Sequence, residues 1–198
     1  MNVRLLISTA AVAALLSTAG ASAQGWYVSV LGGPTLEQPH ITLGGANGYR
    51  STTGFNAGGR IGYDLDSWVP WQGFSLEGDV FYTQAHLDAS DTAQTSSLSG
   101  MGNLIYHVNT GWPVGIYGGA GAGAVSTRLR SGDTEDSSTV FGWQGIGGVD
   151  YAFAPDTKLF AEYRYLNARD ANLVLPGGGF GRVGNTSNNV SVGLKFEM

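Results

Sequence analysis

The chain has no cysteine among its 198 residues. Disulfide staples, thiolate metal sites and a lipid-modified N-terminal cysteine are therefore excluded, and nothing cross-links the fold covalently. Charge is scarce as well: Asp, Glu, Lys and Arg make up 13% of the residues, with a formal net charge of −5. No cluster of Lys and Arg appears, so the basic footprint that nucleic acid demands is missing and that partner class is excluded. Long apolar runs are the third absence. After residue 23 no segment approaches the roughly 20 apolar residues of a spanning helix, which excludes a helical membrane protein but not a barrel of strands. What the chain does have is 32 glycines and 11% aromatic residues, a composition of turn formers, small strand residues and rings.

The N-terminus reads MNVRLLISTAAVAALLSTAGASA, with a cation at Arg4, an apolar stretch from Leu5 to Leu16, and Ala21-Ser22-Ala23 ahead of Gln24. That stretch is too short to span a bilayer and ends in small residues, the layout of a secretory signal peptide. The expected division is a signal peptide over 1–23, cleaved near Ala23, and one domain over 24–198.

Between Phe141 and Leu166 the chain reads FGWQGIGGVDYAFAPDTKLFAEYRYL, two alternating runs joined by an Ala-Pro-Asp turn. Strand side chains alternate with period two, so Phe141, Trp143, Val149 and Tyr151 share one face and Gln144 and Asp150 the other. On the second arm Leu159, Ala161, Tyr163 and Tyr165 stand opposite Lys158, Glu162 and Arg164. Other arms repeat the pattern. Strands are predicted at Trp26 to Gly32, Phe55 to Leu65, Phe74 to Gln84, Leu98 to Val108, Val114 to Ser126, Val140 to Ala152, Lys158 to Leu166 and Asn189 to Met198. The segments between them alternate in length. Gly33 to Gly54, Ala85 to Ser97, Thr127 to Thr139 and Asn167 to Asn188 are long, whereas Asp66 to Gly73, Asn109 to Pro113 and Phe153 to Thr157 are shorter. Long and short connections thus fall on opposite ends. The expected fold is all-β: an eight-stranded antiparallel up-and-down transmembrane β-barrel, with the short turns and both termini in the periplasm.

The outward set on this reading is Phe55, Ala57, Ile61, Tyr63 and Leu65, then Phe74, Leu76, Val80 and Tyr82, then Leu104, Tyr106 and Val108, then Val190, Val192, Leu194 and Phe196. The inward set is polar: Asn56, Arg60, Asp64, Ser75, Glu77, Asp79, Thr83, Asn103, His107, Ser191, Lys195 and Glu197, with Phe81, Met101 and Ile105 as apolar exceptions. The strand VGIYGGAGAGAVS is too rich in Gly and Ala to phase, which leaves Tyr117 unassigned. Trp26, Trp68, Trp71, Trp112, Tyr151 and Phe196 fall near the short turns, and Phe55, Tyr82, Trp143 and Tyr165 near the long connections, as two aromatic girdles would.

A turn about Pro155 that sets Tyr151 opposite Leu159 also sets Glu162 opposite Gly148. It puts Tyr163 and Tyr165 opposite Gly147 and Gly145, each ring covering bare backbone. A turn symmetric about Trp68 sets Arg60 opposite Glu77. A barrel of about eight strands has room inside for side chains but not for a channel, and buried charges persist only when paired. Arg60, Glu77, Asp79, Glu162, Arg164 and Lys195 are therefore expected to form a plug of ion pairs. Acid-base catalysis by these carboxylates would need substrate access that the wall denies. GGPTLEQP and PGGGFG lie in predicted loops with no helix following, so surface loops are the better reading than phosphate cradles.

The hairpin FGWQGIGGVDYAFAPDTKLFAEYRYL, the opening GWYVSVLGG and the closing VSVGLKFEM resemble the outer-membrane protein beta-barrel family of alphaproteobacteria and the related opacity-type, porin-like small outer-membrane barrels, as well as the outer-membrane protein A-like transmembrane domain. The resemblance covers the mature chain, and Trp143-Gln144-Gly145, Gly148-Val149-Asp150-Tyr151 and Glu162-Tyr163-Arg164-Tyr165-Leu166 are its most specific parts. Val190, Val192, Leu194, Phe196 and Met198 resemble the C-terminal signal read by the barrel assembly machinery, which commonly ends in Phe where this chain has Met198.

The resemblance implies a bacterial outer-membrane location and contact with outer-membrane lipid and lipopolysaccharide. It further implies a monomeric, non-enzymatic barrel that serves envelope integrity and offers its loops for adhesion or binding to an extracellular ligand. A small porin-like channel is the alternative. A lipid A-modifying enzyme is the third reading, but lipid A deacylase barrels carry a His-x-Ser pair, whereas the neighbours here read His40-Ile41-Thr42, His86-Leu87-Asp88 and His107-Val108-Asn109. No catalytic, cofactor or metal residue is expected.

Overall fold

The computed structural model describes residues 25–37, 41–42, 54–66, 72–86, 93–108, 110–131, 134–174 and 180–198. The expected signal segment and its cleavage point, together with His40, Trp68 and Trp71, lie outside the described residues. Eight long strands, β1 (Trp26–Glu37), β3 (Gly54–Asp64), β4 (Phe74–His86), β5 (Ala93–Val108), β6 (Val114–Ser131), β7 (Thr134–Ala154), β8 (Thr157–Val174) and β9 (Phe180–Glu197), are joined by a two-residue strand, β2 (Ile41–Thr42). Each long strand pairs antiparallel with the next in sequence, β2 pairs with β9, and β1 pairs with β9 to close the ring. The fold is a closed, all-β, eight-stranded barrel. Closure gives each of the eight long strands a partner on both edges, which a wall facing hydrocarbon requires.

Several strands run past their expected ends. The segment Thr127 to Thr139, expected as a loop, continues the ladder from Thr127↔Ser138 to Ser131↔Thr134. β7 consequently has 21 residues, against the about 9–11 that a tilted strand needs to cross a bilayer. Apolar alternation reports the lipid-facing length only, whereas backbone pairing can go on through Ser- and Thr-rich sequence beyond it. At the other end Pro155 and Asp156 alone join β7 to β8. Gly73 takes φ 98°, and a Cβ there would come within 2.5 Å of the His107 carbonyl oxygen, so only glycine fits that turn. The C-terminus is held as well, because the Met198 N–H donates to the Trp26 carbonyl at 2.9 Å.

The faces follow the alternation read from the sequence. Val80 is 57% exposed while Arg164, on an inward position, is 1% exposed, an ordering that a water-soluble protein would reverse. β6 is phased by its neighbours: Tyr117 and Val125 are buried in the interior, and Ile116, Ala120, Ala122 and Ala124 look outward. The rings stand at the two ends of the wall. Trp26 lies 5.1 Å from Tyr63 at the end with the termini, where Trp112 and Tyr151 are exposed and Phe196 is partly buried. Trp143 and Tyr165 meet at 5.6 Å toward the other end.

Ring packing depends on glycine, though on the inner face. Tyr27 is registered with Gly62, Phe81 with Gly58, Tyr117 with Gly148 and Phe160 with Gly193. A Cβ on any of these glycines would sit 2.2 to 2.8 Å from the ring that covers it. The outward pairing differs from the expectation. Tyr163 and Tyr165 are registered with Gly147 and Gly145, but a Cβ on either glycine would meet nothing within 4 Å. Tyr165 leans instead on Trp143, and the Tyr163 hydroxyl donates to Asn188. No ring covers these two outer glycines.

This difference generates a paired prediction. Gly148→Ala drives a methyl group against the Tyr117 ring and is expected to cost about 1–3 kcal/mol, whereas Gly147→Ala, its neighbour on the lipid face, stays within about 0.5 kcal/mol of the parent. Urea unfolding of the refolded protein in detergent micelles measures both; equal effects would show that the rings do not occupy the inner glycine sites.

Candidate functional site

Three strands, β3, β4 and β8, bring five charges to one level of the lumen. Arg60 on β3 is registered with Asp79 on β4, and Gly62 with Glu77. The expected Arg60–Glu77 register is therefore corrected by two residues. The described end of the connection gives the reason: Gly73 takes a positive φ and its N–H donates to Asp66 Oδ1 at 2.7 Å, a geometry that counting residues about a midpoint does not include. A two-residue shift preserves the face, so Arg60 Nη1 still reaches Glu77 Oε2 diagonally at 3.4 Å.

At the centre is Glu162 on β8. Arg60 Nη2 donates to both of its oxygens, at 2.9 and 2.7 Å. Arg164 Nη2 donates to Oε1 at 3.1 Å, and the Tyr117 hydroxyl donates to Oε2 at 3.1 Å. Arg164 Nη1 carries the series on to Asp79 Oδ2 at 3.1 Å. That oxygen also accepts from Asn103 Nδ2 at 2.8 Å and Gln144 Nε2 at 3.1 Å. At the other end the Tyr27 hydroxyl donates to Glu77 Oε1 at 2.8 Å. The order across the lumen is therefore Glu77, Arg60, Glu162, Arg164, Asp79, an alternation of sign in which each charge faces an opposite one. Both guanidiniums lie over rings as well, Arg164 at 4.3 Å from the Phe81 centroid and Arg60 at 5.4 Å from Phe160.

Lys195 stands apart from this series. Its Nζ pairs with Glu197 Oε1 at 3.3 Å and lies 3.7 Å above the Tyr27 ring, so that ring separates it from Glu77. Glu197 also holds Lys158, at 2.7 Å. Tyr27, Tyr117, Asn103 and Gln144 were not among the expected network residues. The signal for the two tyrosines was available in principle, since each is an inward ring opposite an inward glycine.

Apolar side chains enclose the charges. Leu31, Phe81, Ile105, Tyr117, Ile146 and Phe160 form one buried cluster, and Met101, Val125, Leu166 and Ala168 form another toward the long-connection end. Toward the termini the lumen widens into a mouth cavity of about 600 Å³ lined by Asp64, His107, Asp150, Lys158, Lys195 and Glu197, among others. His107 Nδ1 is 3.7 Å from Asp150 Oδ2. Among the described residues no group of three His, Cys, Asp or Glu side chains could hold a metal ion.

A closed ring of antiparallel strands with an apolar exterior and a charged, buried interior defines a transmembrane barrel of the bacterial outer membrane. Residues 5–196 match the family described as outer membrane protein beta-barrel domain, and the chain belongs to that family. Among solved structures it is similar to Neisserial surface protein A, with 23% identity and a TM-score of 0.64 over 90% of this chain and 100% of that one. It is similar also to the N-terminal barrel domain of Pseudomonas aeruginosa OprF, with 16% identity, a TM-score of 0.52, and 89% and 100% of the two chains covered. OprG of Pseudomonas aeruginosa has 18% identity and a TM-score of 0.51, with 88% and 97% covered. At these identities the likeness is one of fold. Comparison with curated protein sequences finds no match. Membership in the family sets the wall among the lipids of the outer membrane.

The network yields a stability prediction. Glu162→Ala leaves two buried guanidiniums without their shared carboxylate and is expected to cost about 3–5 kcal/mol. Lys158→Ala, which removes a partly exposed ion pair at the mouth, is expected to cost less than about 1 kcal/mol. Tryptophan fluorescence during urea unfolding in micelles compares the two, and similar midpoints would contradict a central role for Glu162.

Proposed function

We propose that the protein is a non-enzymatic component of the outer-membrane wall: a closed barrel that contributes to envelope integrity and presents its outer connections for adhesion or binding. The observation that carries this reading is Glu162 bonded to both Arg60 and Arg164, because charges that close on one another do not line a continuous water-filled channel. Recognition falls to the connections Gly33 to Gly54 and Asn167 to Asn188, since loops on a rigid scaffold are where binding sites concentrate. Residues 38–40, 43–53 and 175–179 of these segments lie outside the described residues, and in the second segment, expected as a loop, residues 167–174 continue β8 and 180–188 belong to β9. The lipid A-modifying alternative needs a histidine beside a nucleophile at the outer rim, and the described His107 side chain lines the opposite mouth.

Export by cleavage near Ala23, insertion by the barrel assembly machinery, a monomeric state, and contact with lipopolysaccharide complete the proposal. The porin-like alternative requires the lumen charges to line water. In planar bilayers the purified protein is expected to give no reproducible single-channel steps. Steps whose size or ion selectivity changes on Glu162→Ala or Arg164→Ala would overturn the closed-lumen reading in favour of a channel. An unchanged lipid A profile on overexpression and deletion is the expected result for a barrel without enzymatic activity.

A further inference from the structure

Between the mouth cavity and Arg60 lies a second, far smaller cavity of about 10 Å³, whose lining includes Ser29, Arg60, Glu77, His107 and Lys195. Among the described residues four buried side-chain atoms have no hydrogen-bond partner: Arg60 Nε, Glu77 Oε2, His107 Nε2 and Asp79 Oδ1. Three of the four belong to residues that line this cavity. The Arg60 and Glu77 side chains are each 3% exposed, and the 3.4 Å between Nη1 and Oε2 is an ion-pair distance that leaves Oε2 without a hydrogen bond.

The chemistry of the orphaned atoms selects the occupant. Arg60 Nε can only donate and a Glu77 carboxylate oxygen can only accept, so the group between them has to do both. A bound cation would leave Arg60 Nε unpaired, and a bound anion would leave Glu77 Oε2 unpaired. A water molecule satisfies each, and a buried water needs about 10–15 Å³ with two to four polar partners. We propose that this cavity is a specific seat for one ordered water, which accepts from Arg60 Nε, donates to Glu77 Oε2 and bonds His107 Nε2. His107, Asp150 and Lys195 line both cavities, so the seat is reached from the mouth at the termini. On the far side Arg164 stacked on Phe81, and then the Met101, Val125, Leu166 and Ala168 cluster, separate it from the outer end. Among the described residues the plug is thus hydrated from the mouth at the termini. The inference goes beyond the closed-lumen reading: conductance asks whether ions pass, and this asks whether one water stays.

The test is solution NMR on the refolded full-length protein, with isotope-labelled arginine, in micelles or nanodiscs. The Arg60 Nε–H is expected to show cross-relaxation to water with the sign of a long-lived bound molecule. In Ser29→Val, whose added methyl groups occupy the cavity, that signal is expected to vanish and the urea midpoint to fall, because Arg60 and Glu77 then stay unpaired. Absence of the cross-peak in the parent protein, or an Nε–H that exchanges freely with solvent, overturns the proposal. So does a cross-peak that survives Ser29→Val unchanged. Should that variant fail to fold, the parent measurement decides alone.

Discussion

Inside a hydrocarbon layer no solvent can accept or donate to a free peptide group, and the rest of this barrel follows from that constraint. A strand there must be bonded along both edges, so the ring has to close, and the β1–β9 seam closes it from Tyr27↔Glu197 to Glu37↔Asn188. Once closed, every residue has one of two destinations. Phe81 is buried because it follows Val80, which faces lipid, and the pleat leaves no third option. The inversion of hydropathy is then a geometric result: lipid takes the larger apolar surface, and polar groups gather where they can reach one another.

The interior must be filled and neutralised within the same narrow space, and one arrangement serves both ends. An inward glycine lets a ring from the adjacent strand lie flat against the wall, as Tyr117 does on Gly148 and Tyr27 on Gly62. The hydroxyl of that ring then reaches a carboxylate, Glu162 in the first case and Glu77 in the second. The carboxylate in turn orients Arg60. Wall and plug are therefore coupled through register. Sliding β7 against β6 by a single residue would move Gly148 from beneath the ring and turn Gln144 away from Asp79. Burying so many charges is not an efficient source of stability, since apolar replacements of similar volume often do as well. Its effect is on register, because a slip of one residue would turn every charge of the slipped strand to the outer face.

The sequence carried the faces, strand number and handedness of inside and outside, because all depend on period-two alternation and on turns of unequal length. It carried the β7–β8 register too, through the short turn at Pro155 and Asp156. Where local symmetry was the sole guide it failed. The turn between β3 and β4 contains Gly73 in a left-handed conformation, which a count of residues about Trp68 does not reveal. Tyr117 could not be phased because alternation is silent when both faces hold Gly and Ala; only the partners of β6 decide it. Lys195 has the right face and the wrong depth. Face is a property of the strand, but depth along the barrel depends on the tilt and stagger of all the strands together.

Depth is also what separates the two ends of the lumen. Toward the termini the interior is ionic, with Lys158, Glu197, Lys195, Asp150 and His107 around the mouth. Toward the long connections the described interior changes to neutral amides and hydroxyls, where Thr35 donates to Asn189 Oδ1 and Ser191 to Asn56 Oδ1, each at 2.8 Å. Neutral groups that satisfy one another can be buried at far lower cost than unpaired charges. This layer, with Met101, Val125 and Leu166, therefore insulates the ion pairs from the outer end. A substitution in the outer connections does not have to be compensated in the plug. The outer surface and the plug are thereby separated, and Glu162 with its two arginines holds the register independently of the outer connections.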